Sequence, residues 1–164
     1  MNILVVSDSH GNTELLKDII SRNRAWCDLV IHLGDNMLDI NEVIRDFSNI
    51  AHLGVLGNCD FASMYSNAKT EGSFTAEKRR IFYTHGHKYN VNHGLDLLAF
   101  TAKFNKADIA LYGHTHVAFC EEINGVLVVN PGSISSPRDG SGGTYAKITI
   151  KEDKADCKIV EVNT

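Results

Sequence analysis

The sequence lacks the features of a membrane protein and of a secreted one. No apolar run in the 164-residue chain approaches the roughly 20 residues that a bilayer-spanning helix needs. The opening stretch "MNILVV" has no basic region and reaches Asp8 after only a few apolar residues, which is too short for a secretory signal. We therefore expect a cytoplasmic protein that has no membrane partner.

The sequence also lacks any motif that would pair its cysteines. The four cysteines are spaced widely and irregularly, and no Cys-x-x-Cys motif is present. Free thiols are therefore expected rather than disulfides. Three of the four are expected to be small core residues. Cys59 differs, because it lies among polar residues in "GNCD".

An excess of positive charge is absent too. The formal net charge of −4 gives no electrostatic reason to expect a standing nucleic-acid partner, so a small substrate is more natural. The length fits one domain, predicted to span residues 1–164, and no internal repeat or low-complexity segment divides it. The Ser- and Gly-rich "SISSPRDGSGG" is expected to be a loop. The oligomeric state stays open, and a homo-oligomer is one alternative.

Short apolar segments alternate with helical patterns over the first two thirds of the chain. The predicted strands are "NILVVSD", "DLVIHLGD", "IAHLGVLGN", "RIFYTHG" and "DIALYGH", and the predicted helices are "NTELLKDIISRNR", "DINEVIRDFSNI" and "GLDLLAFTAKF". Asn12 or Thr13 is the expected cap of the first helix. This alternation indicates an α/β protein built from βαβ units, with a sheet that is parallel in its first part.

The pattern changes after residue 120. The strands "GVLVVN", "TYAKITIKE" and "DCKIVEV" are joined by short turns, which predicts largely antiparallel pairing. Two sheets packed together with helices outside is the economical architecture. The segment from Cys59 to Lys78 has no clear periodicity and is interpreted as an excursion with one short helix.

Ligand-type side chains stand at the ends of all five predicted parallel strands. Such ends converge in an α/β sheet, and imidazoles packed with carboxylates need either protons or a metal ion. The number of these residues exceeds one site, which points to two divalent ions about 3.5–4 Å apart that share a carboxylate. The residues are Asp8, His10, Asp35, Asn58, His85, His87, His114 and His116. His32, His52 and His93 are interpreted as structural.

The motifs follow a recognisable order: "DSHG", "GD" at 34–35, "GNCD" at 57–60, "THGH" and "GHTH". From Met1 to about Arg138 the chain resembles the calcineurin-like metallophosphoesterases, and more closely their small single-domain, YfcE-like phosphodiesterase branch. The resemblance implies a four-layer αββα sandwich, with two mixed sheets packed face to face and helices outside.

The resemblance also implies roles for the strand-end residues. It assigns Asp8, His10 and His116 to one metal, Asn58, His85 and His114 to the other, Asp35 to a bridging position, and His87 to the second shell or the substrate. Manganese is the first expectation for both ions, with nickel, iron and zinc as alternatives.

The implied activity is that of a binuclear phosphoesterase, above all a phosphodiesterase, in which a metal-bridging hydroxide attacks a small phosphoester in line. Asn58, Cys59 and His87 are the expected catalytic residues. Cys59 stands where many family members carry the histidine that protonates the leaving group, so the proton donor is open between Cys59 and His87. A catalytically silent scaffold and a phosphomonoesterase, nucleotidase or nuclease with the same metal site are the alternatives.

The stretch "NPGSISSPR" resembles a family loop near the site. Two interpretations are left open for it. In one, Ser133, Ser135 and Arg138 hydrogen-bond phosphate. In the other, the stretch is a turn held by Pro131 and Gly132 that leaves the arginine exposed.

Overall fold

The computed structural model describes residues 1–61 and 69–162, and in these residues ten strands form two five-stranded sheets. The strands are β1 (Asn2–Val6), β2 (Leu29–His32), β3 (Ala51–Gly54), β4 (Glu71–Ala76), β5 (Arg79–Thr84), β6 (Ile109–Leu111), β7 (Ala118–Ile123), β8 (Val126–Pro131), β9 (Thr144–Lys151) and β10 (Lys154–Glu161). The α-helices are α1 (Thr13–Asn23), α2 (Met37–Val43) and α3 (Asp96–Phe104).

Both sheets are mixed. The first has the order β10-β9-β1-β2-β3, in which β1, β2 and β3 are parallel while β9 and β10 pair antiparallel. The second has the order β4-β5-β6-β8-β7, in which β5, β6 and β8 are parallel and the two edge strands are antiparallel. The predicted antiparallel pairing is confirmed for β9 and β10. It is wrong for β8 and β9, because β8 pairs parallel with β6 in the second sheet and the loop that follows it leads to β9 in the first sheet.

The alternation of side chains along β1 accounts for the layers. Ile3 and Val5 point into a buried cluster shared with the second sheet, whereas Leu4 and Val6 point into a cluster shared with α1 and α2. A third cluster fills the space between the second sheet and α3. Three apolar interfaces separate four layers, which confirms the predicted αββα sandwich.

The helices begin and end close to their predicted positions, with one exception. Asn12 caps α1, and its side chain accepts a hydrogen bond from the backbone N–H of Leu15 at 3.2 Å. The second predicted helix, over residues 39–50, is shorter than expected. It begins at Met37, ends at Val43 and gives way to a 3₁₀ turn over Ile44–Asp46.

Two edge strands were not predicted from the sequence. β4 lies inside the segment that was interpreted as an excursion, and that interpretation is wrong over Glu71–Ala76. β7 precedes the Asn124–Gly125 turn and pairs with β8. Both carry few buried apolar side chains, which is why their patterns are weak. Residues 62–68 of this segment, for which one short helix was expected somewhere between Cys59 and Lys78, lie outside the described residues.

In the part of the chain that the structure describes, every helix is too short or too polar to cross a lipid bilayer.

Candidate metal centre

The predicted strand ends meet at one place in the sandwich. The loop after β1 joins the loop after β2 through a hydrogen bond from the Asp8 backbone N–H to the Gly34 carbonyl at 3.0 Å. The loop after β6 joins the one after β5 through the Gly113 N–H and the His85 carbonyl at 2.9 Å. The two sheets connect where the His114 N–H donates to Asp8 Oδ2 at 3.1 Å. Loops from both sheets therefore surround a single site.

One half of the site contains Asp8, His10 and His116. His116 Nδ1 lies 2.7 Å from the Ser136 carbonyl, so this nitrogen donates and the lone pair of a neutral ring is on Nε2. That Nε2 lies 3.2 Å from Asp8 Oδ1 and 3.3 Å from His10 Nε2. Asp8 is buried, and its Oδ1 has no hydrogen-bond partner among the described residues. Two acceptor atoms, His116 Nε2 and Asp8 Oδ1, thus face each other, with a ring nitrogen of His10 beside them.

The charges in this half shift each other. The pKa of His116 is raised, chiefly by Asp8. Burial alone raises the pKa of Asp8, but His116 and His85 lower it overall. A negative carboxylate that faces imidazole nitrogens is favourable only with a positive charge between them. A proton supplies that charge to one pair of atoms, whereas a metal ion supplies it to the whole group.

The other half repeats the arrangement with Asp35, Asn58 and His85. His85 is fully buried, and its Nδ1 lies 2.7 Å from the Leu33 carbonyl, which again leaves the lone pair on Nε2. That Nε2 lies 3.1 Å from Asn58 Oδ1 and 3.5 Å from Asp35 Oδ1. These neighbours are acceptors as well. The second half therefore also gathers lone pairs that require a cation.

Asp35 belongs to both halves. Besides its proximity to His85, it forms a group with Asp8, His10 and His116 in which one ligand atom from each residue lies within 4.8 Å of the others. Carboxylate, imidazole and amide oxygen donors suit divalent transition metals. The buried and unpartnered Asp8 Oδ1 supports the same assignment. The residues present therefore fit a metal centre.

His114 approaches the second half. Its ring centroid lies 5.1 Å from that of His85, and its Nε2 is 3.0 Å from the side-chain amide of Asn92. Nδ1 is left as the nitrogen that makes no hydrogen bond to the described residues. Asn92 was not singled out from the sequence, because nothing local to "NVNHG" connects it with a histidine 22 positions away.

The backbone of the site is in an unusual conformation. Most of the ligand-type residues adopt the left-handed region, which non-glycine residues rarely occupy. The φ angles are 54° at Asp8, 46° at His10, 57° at Asp35, 70° at His114 and 60° at His116. Such conformations persist only where surrounding contacts hold them, and they cluster at functional sites. The sequence carried no signal for them beyond the neighbouring glycines.

A buried hydrogen-bond chain holds the loop that carries Asp8 and His10. The Ser9 hydroxyl donates to Asp39 Oδ2 at 2.6 Å and lies 2.9 Å from His32 Nε2, while His32 Nδ1 accepts from the Gly34 N–H at 3.2 Å. Burial lowers the pKa of His32 to about 4, so the ring is neutral near pH 7. His32 is thus the structural histidine that the sequence predicted.

Asp60 holds the loop that carries Asp35. Its carboxylate accepts hydrogen bonds at 2.8–3.1 Å from the backbone N–H groups of Asp35, Asn36, Met37 and Gly57. It therefore ties the loop after β2 to the loop after β3. Asp60 is the last residue of "GNCD", but this function could not be predicted from the sequence, since three of these partners are more than 20 positions away.

The two candidate proton donors lie beside the metal centre. Cys59 is exposed, and its backbone N–H donates to Asp35 Oδ1 at 2.9 Å. Partial desolvation and the Asp35 carboxylate raise the pKa of its thiol to about 11. The ring centroid of His87 lies 5.4 Å from that of His85. Burial and the nearby histidines lower the pKa of His87, which leaves its ring neutral near pH 7.

The serines of the "NPGSISSPR" stretch hydrogen-bond to the backbone of the loop after β1. The Ser133 hydroxyl donates to the Asp8 carbonyl at 2.8 Å, and the Ser135 hydroxyl donates to the Ser9 carbonyl at 2.9 Å. Both hydroxyl protons are thus used to fix the β1 loop, and the interpretation in which these serines bind phosphate stays a prediction. Arg138 lines the site, and its backbone N–H donates to the His116 carbonyl at 3.0 Å.

These residues enclose an open cavity of about 320 Å³, lined by His10, Asp35, Asn58, Cys59, His114, His116, Ser136 and Arg138. His52 and His93 lie elsewhere. His52 is an exposed residue of β3, and His93 Nδ1 is 2.9 Å from Asn90 Oδ1. The structure thus brings the seven predicted metal ligands together and leaves these two histidines outside.

Comparison with known sequences agrees with this site. Residues 1–153 match the model of the calcineurin-like phosphoesterase superfamily domain. The chain is 39% identical over 155 residues to the probable metallophosphoesterase YsnB of Bacillus subtilis strain 168, covering 94% of this chain and 88% of YsnB. It is 28% identical over 169 residues to phosphodiesterase YfcE of Escherichia coli K12, covering 90% and 87% of the two chains.

Solved structures share the architecture. A conserved uncharacterized protein of Streptococcus pneumoniae TIGR4, a predicted phosphoesterase, superposes with a TM-score of 0.80 at 28% identity, covering 98% of this chain and 89% of that one. Vps29 of Entamoeba histolytica, solved in complex with zinc, superposes with a TM-score of 0.77 at 18% identity, a likeness of fold alone that covers 99% and 100%. From the superfamily match over residues 1–153 and the similarity to YsnB, we conclude that the chain belongs to the calcineurin-like phosphoesterase superfamily.

Proposed function

We propose that this protein is a phosphodiesterase whose site binds two divalent metal ions and cleaves a small phosphoester. One observation carries the proposal. Two sets of acceptor atoms face inward around His116 Nε2 and His85 Nε2, and Asp35 belongs to both sets. Each set needs its own positive charge, because the N–H groups of the His116 and His85 rings point away, toward the carbonyls of Ser136 and Leu33.

Each residue has a distinct part in this arrangement. The proposed ligands of one ion are Asp8, His10 and His116, those of the other are Asn58, His85 and His114, and Asp35 bridges the two. When bound, two divalent ions would acidify a water molecule and offset the negative charge of the phosphoester. Manganese is our first choice, and nickel, iron and zinc bind the same donor types.

Asn58 would leave a metal ion that is bound beside His85 electrophilic. It contributes an amide oxygen, which is a neutral ligand, next to the single negative charge of Asp35. A carboxylate at position 58 would add a second negative charge and weaken the attraction for an anionic substrate. Arg138, which also lines the cavity, offers a guanidinium group that suits phosphate oxygens.

The protonation of the leaving group limits the substrate. Neither candidate donor is well suited to this task. Cations bound beside Cys59 would favour its thiolate, and the lowered pKa of His87 leaves that ring without a proton to donate near pH 7. General acid catalysis is worth about 10²–10⁴-fold, so its weakness is felt most by poor leaving groups. Weak general acid catalysis supports faster hydrolysis of diesters with an activated, aryl-like leaving group than of alkyl phosphates.

The test is an assay of the metal-loaded protein. We expect hydrolysis of bis(p-nitrophenyl) phosphate with added Mn²⁺ and loss of at least about 100-fold in kcat/KM in both Asp35→Asn and Asn58→Ala. Asn49→Ala is the matched control, because Asn49 is an exposed asparagine outside the site, and it should keep full activity.

Two results would contradict the proposal. Full activity in Asp35→Asn would show that the bridging carboxylate is not needed. Metal binding without hydrolysis of any phosphoester, with each of the four metals, would instead support a scaffold that keeps this fold for binding. Faster turnover of p-nitrophenyl phosphate than of the diester would favour a phosphomonoesterase.

A further inference from the structure

Helix α3 presents an apolar stripe to solvent. Leu97, Phe100 and Phe104 are exposed by 52%, 68% and 79%, although the opposite side of the helix is buried against the second sheet. The spacing of three and four residues places the three side chains in one row along the helix. A row of this kind on an otherwise polar surface marks an interaction site.

The area of the stripe suits a modest interface. An aromatic side chain buries about 150–250 Å² when it is covered, so two phenylalanines and a leucine offer roughly 300–400 Å² of apolar surface. A standard interface buries about 800 Å² on each partner, of which the apolar centre is one part. The stripe is therefore large enough to be the centre of such an interface.

Two opposite charges flank the stripe on the same side. Asp96 lies at the N-terminal end of α3, and Lys103 lies two turns further on, so both project from one edge of the row. Both side chains are exposed. The Lys103 ammonium donates to the Asn124 carbonyl at 2.8 Å, which holds it beside the helix with donors left to use.

This arrangement is complementary to itself. Phe100 follows Asp96 by four residues and precedes Lys103 by three, and it follows Leu97 by three and precedes Phe104 by four. In a two-fold symmetric pair of antiparallel helices, residue i meets residue j of the partner, and j meets i. A two-fold axis beside Phe100 therefore places one Phe100 against the other. The same axis brings Leu97 against Phe104 and Asp96 against Lys103, and each of these two contacts occurs twice.

We propose that the stripe Leu97–Phe100–Phe104 is a dimer interface, and that its occupant is the same helix of a second copy of this chain, bound antiparallel. The apolar row supplies the contact, and the Asp96–Lys103 pairs set its direction, because a parallel two-fold pair would place the charged edge of one helix against the apolar row of the other. The interface does not depend on the metal centre and holds whether or not the protein is a phosphodiesterase.

Sedimentation equilibrium of the full chain tests the dimer. We expect a reversible monomer–dimer equilibrium in the wild type, and a monomer up to several hundred micromolar in Phe100→Glu. Leu97→Glu should also abolish association, whereas Leu38→Glu, at an exposed leucine of similar exposure on α2, should not. Circular dichroism establishes that each variant is folded, so that a loss of association is not caused by unfolding.

Charge reversal tests the direction. Asp96→Lys and Lys103→Asp should each weaken self-association by about tenfold, because each homodimer then carries two like-charge contacts. An equimolar mixture of the two variants should regain the wild-type affinity, since every 96–103 contact across the heterodimer is again opposite in sign.

A monomeric wild type, or a dimer that survives Phe100→Glu, would overturn the proposal. So would a mixture that associates no better than the two variants alone. Binding of the wild type to anionic lipid vesicles, lost in Phe100→Glu while the protein stays monomeric, would assign the stripe to a membrane surface instead.

Discussion

At the scale of single residues, His32 is a buried histidine that supports the candidate metal centre without being one of its proposed ligands. It is fully buried behind the loop that carries Asp8 and His10, and both ring nitrogens are engaged, with Ser9 and with the Gly34 N–H. Its pKa of about 4 lies below that of a histidine in an unfolded chain. The neutral ring is therefore part of the fold near pH 7.

This predicts a specific loss of stability in acid. Below pH 6.5 the unfolded chain protonates His32 while the folded chain does not, so stability falls as the pH drops toward the folded pKa of about 4. At pH 4.5 the cost is about 2–3 kcal/mol relative to pH 7. Urea unfolding of the wild type and of His32→Gln at both pH values measures it.

His32→Gln is expected to be less stable at pH 7 but to lose about 2–3 kcal/mol less on acidification. His93→Gln is the matched control, because His93 is exposed, and its pH dependence should equal that of the wild type. If His32→Gln and the wild type lost the same free energy of unfolding between pH 7 and pH 4.5, the stability loss would not come from His32.

The residues that we propose as metal ligands could be singled out from the sequence, and the residues that orient them could not. Each ligand follows an apolar run directly, so its strand end identifies it. The partners of those ligands are set by tertiary contacts. Asn92 meets His114, and the Ser136 and Leu33 carbonyls meet His116 and His85, across 20 to 52 positions of the chain. No local pattern in the sequence reports such contacts.

At the scale of the elements, the site depends on how closely the loops after β2 and β3 approach each other. A Cβ atom placed on Gly57 would lie 2.0 Å from Asp35 Oδ1 and 2.5 Å from the Asp35 backbone nitrogen. Neither atom moves easily, because Asp60 holds the Asp35 backbone. Glycine at position 57 is thus a requirement of the packing between two loops.

Gly57→Ala is therefore expected to displace the bridging carboxylate. We predict a loss of about 10–100-fold in metal affinity, measured by titration calorimetry with Mn²⁺, because small displacements of supporting groups have that effect at metal sites. Gly142→Ala is the control, since a Cβ there meets no atom closer than 3.8 Å. Unchanged affinity in Gly57→Ala would contradict the close approach.

The elements themselves were predicted unevenly, for a physical reason. The central strands are buried on both faces and form uniform apolar runs, which local composition reveals. The edge strands β4 and β7 are half exposed and keep polar side chains, so their pairing depends on the neighbours β5 and β8. The second helix ends early at Val43, where its apolar pattern continues into a 3₁₀ turn.

At the scale of the whole molecule, two sheets place an open cavity on a protein whose formal net charge is −4. Substrate selection is then left to the chemistry of the site. We predict that, in a series of phosphodiesters, the rate falls steeply as the leaving group becomes more basic, by about 10²–10⁴-fold more than for an enzyme with a strong general acid.

Two variants at one position check this dependence. Cys59→His introduces an imidazole and should flatten the dependence of kcat on leaving-group pKa, whereas Cys59→Ala should leave it unchanged. A flat dependence in the wild type, with equal rates for aryl and alkyl leaving groups, would mean that an efficient proton donor is present.

We propose that the protein binds two divalent ions through two ligand sets that share Asp35. Equilibrium dialysis against Mn²⁺ measures the number of metal ions bound per chain. We predict two ions in the wild type and one in each of His85→Ala and His116→Ala, which remove a ligand from different sets. One ion per wild-type chain, or two ions retained in both variants, would contradict the binuclear site.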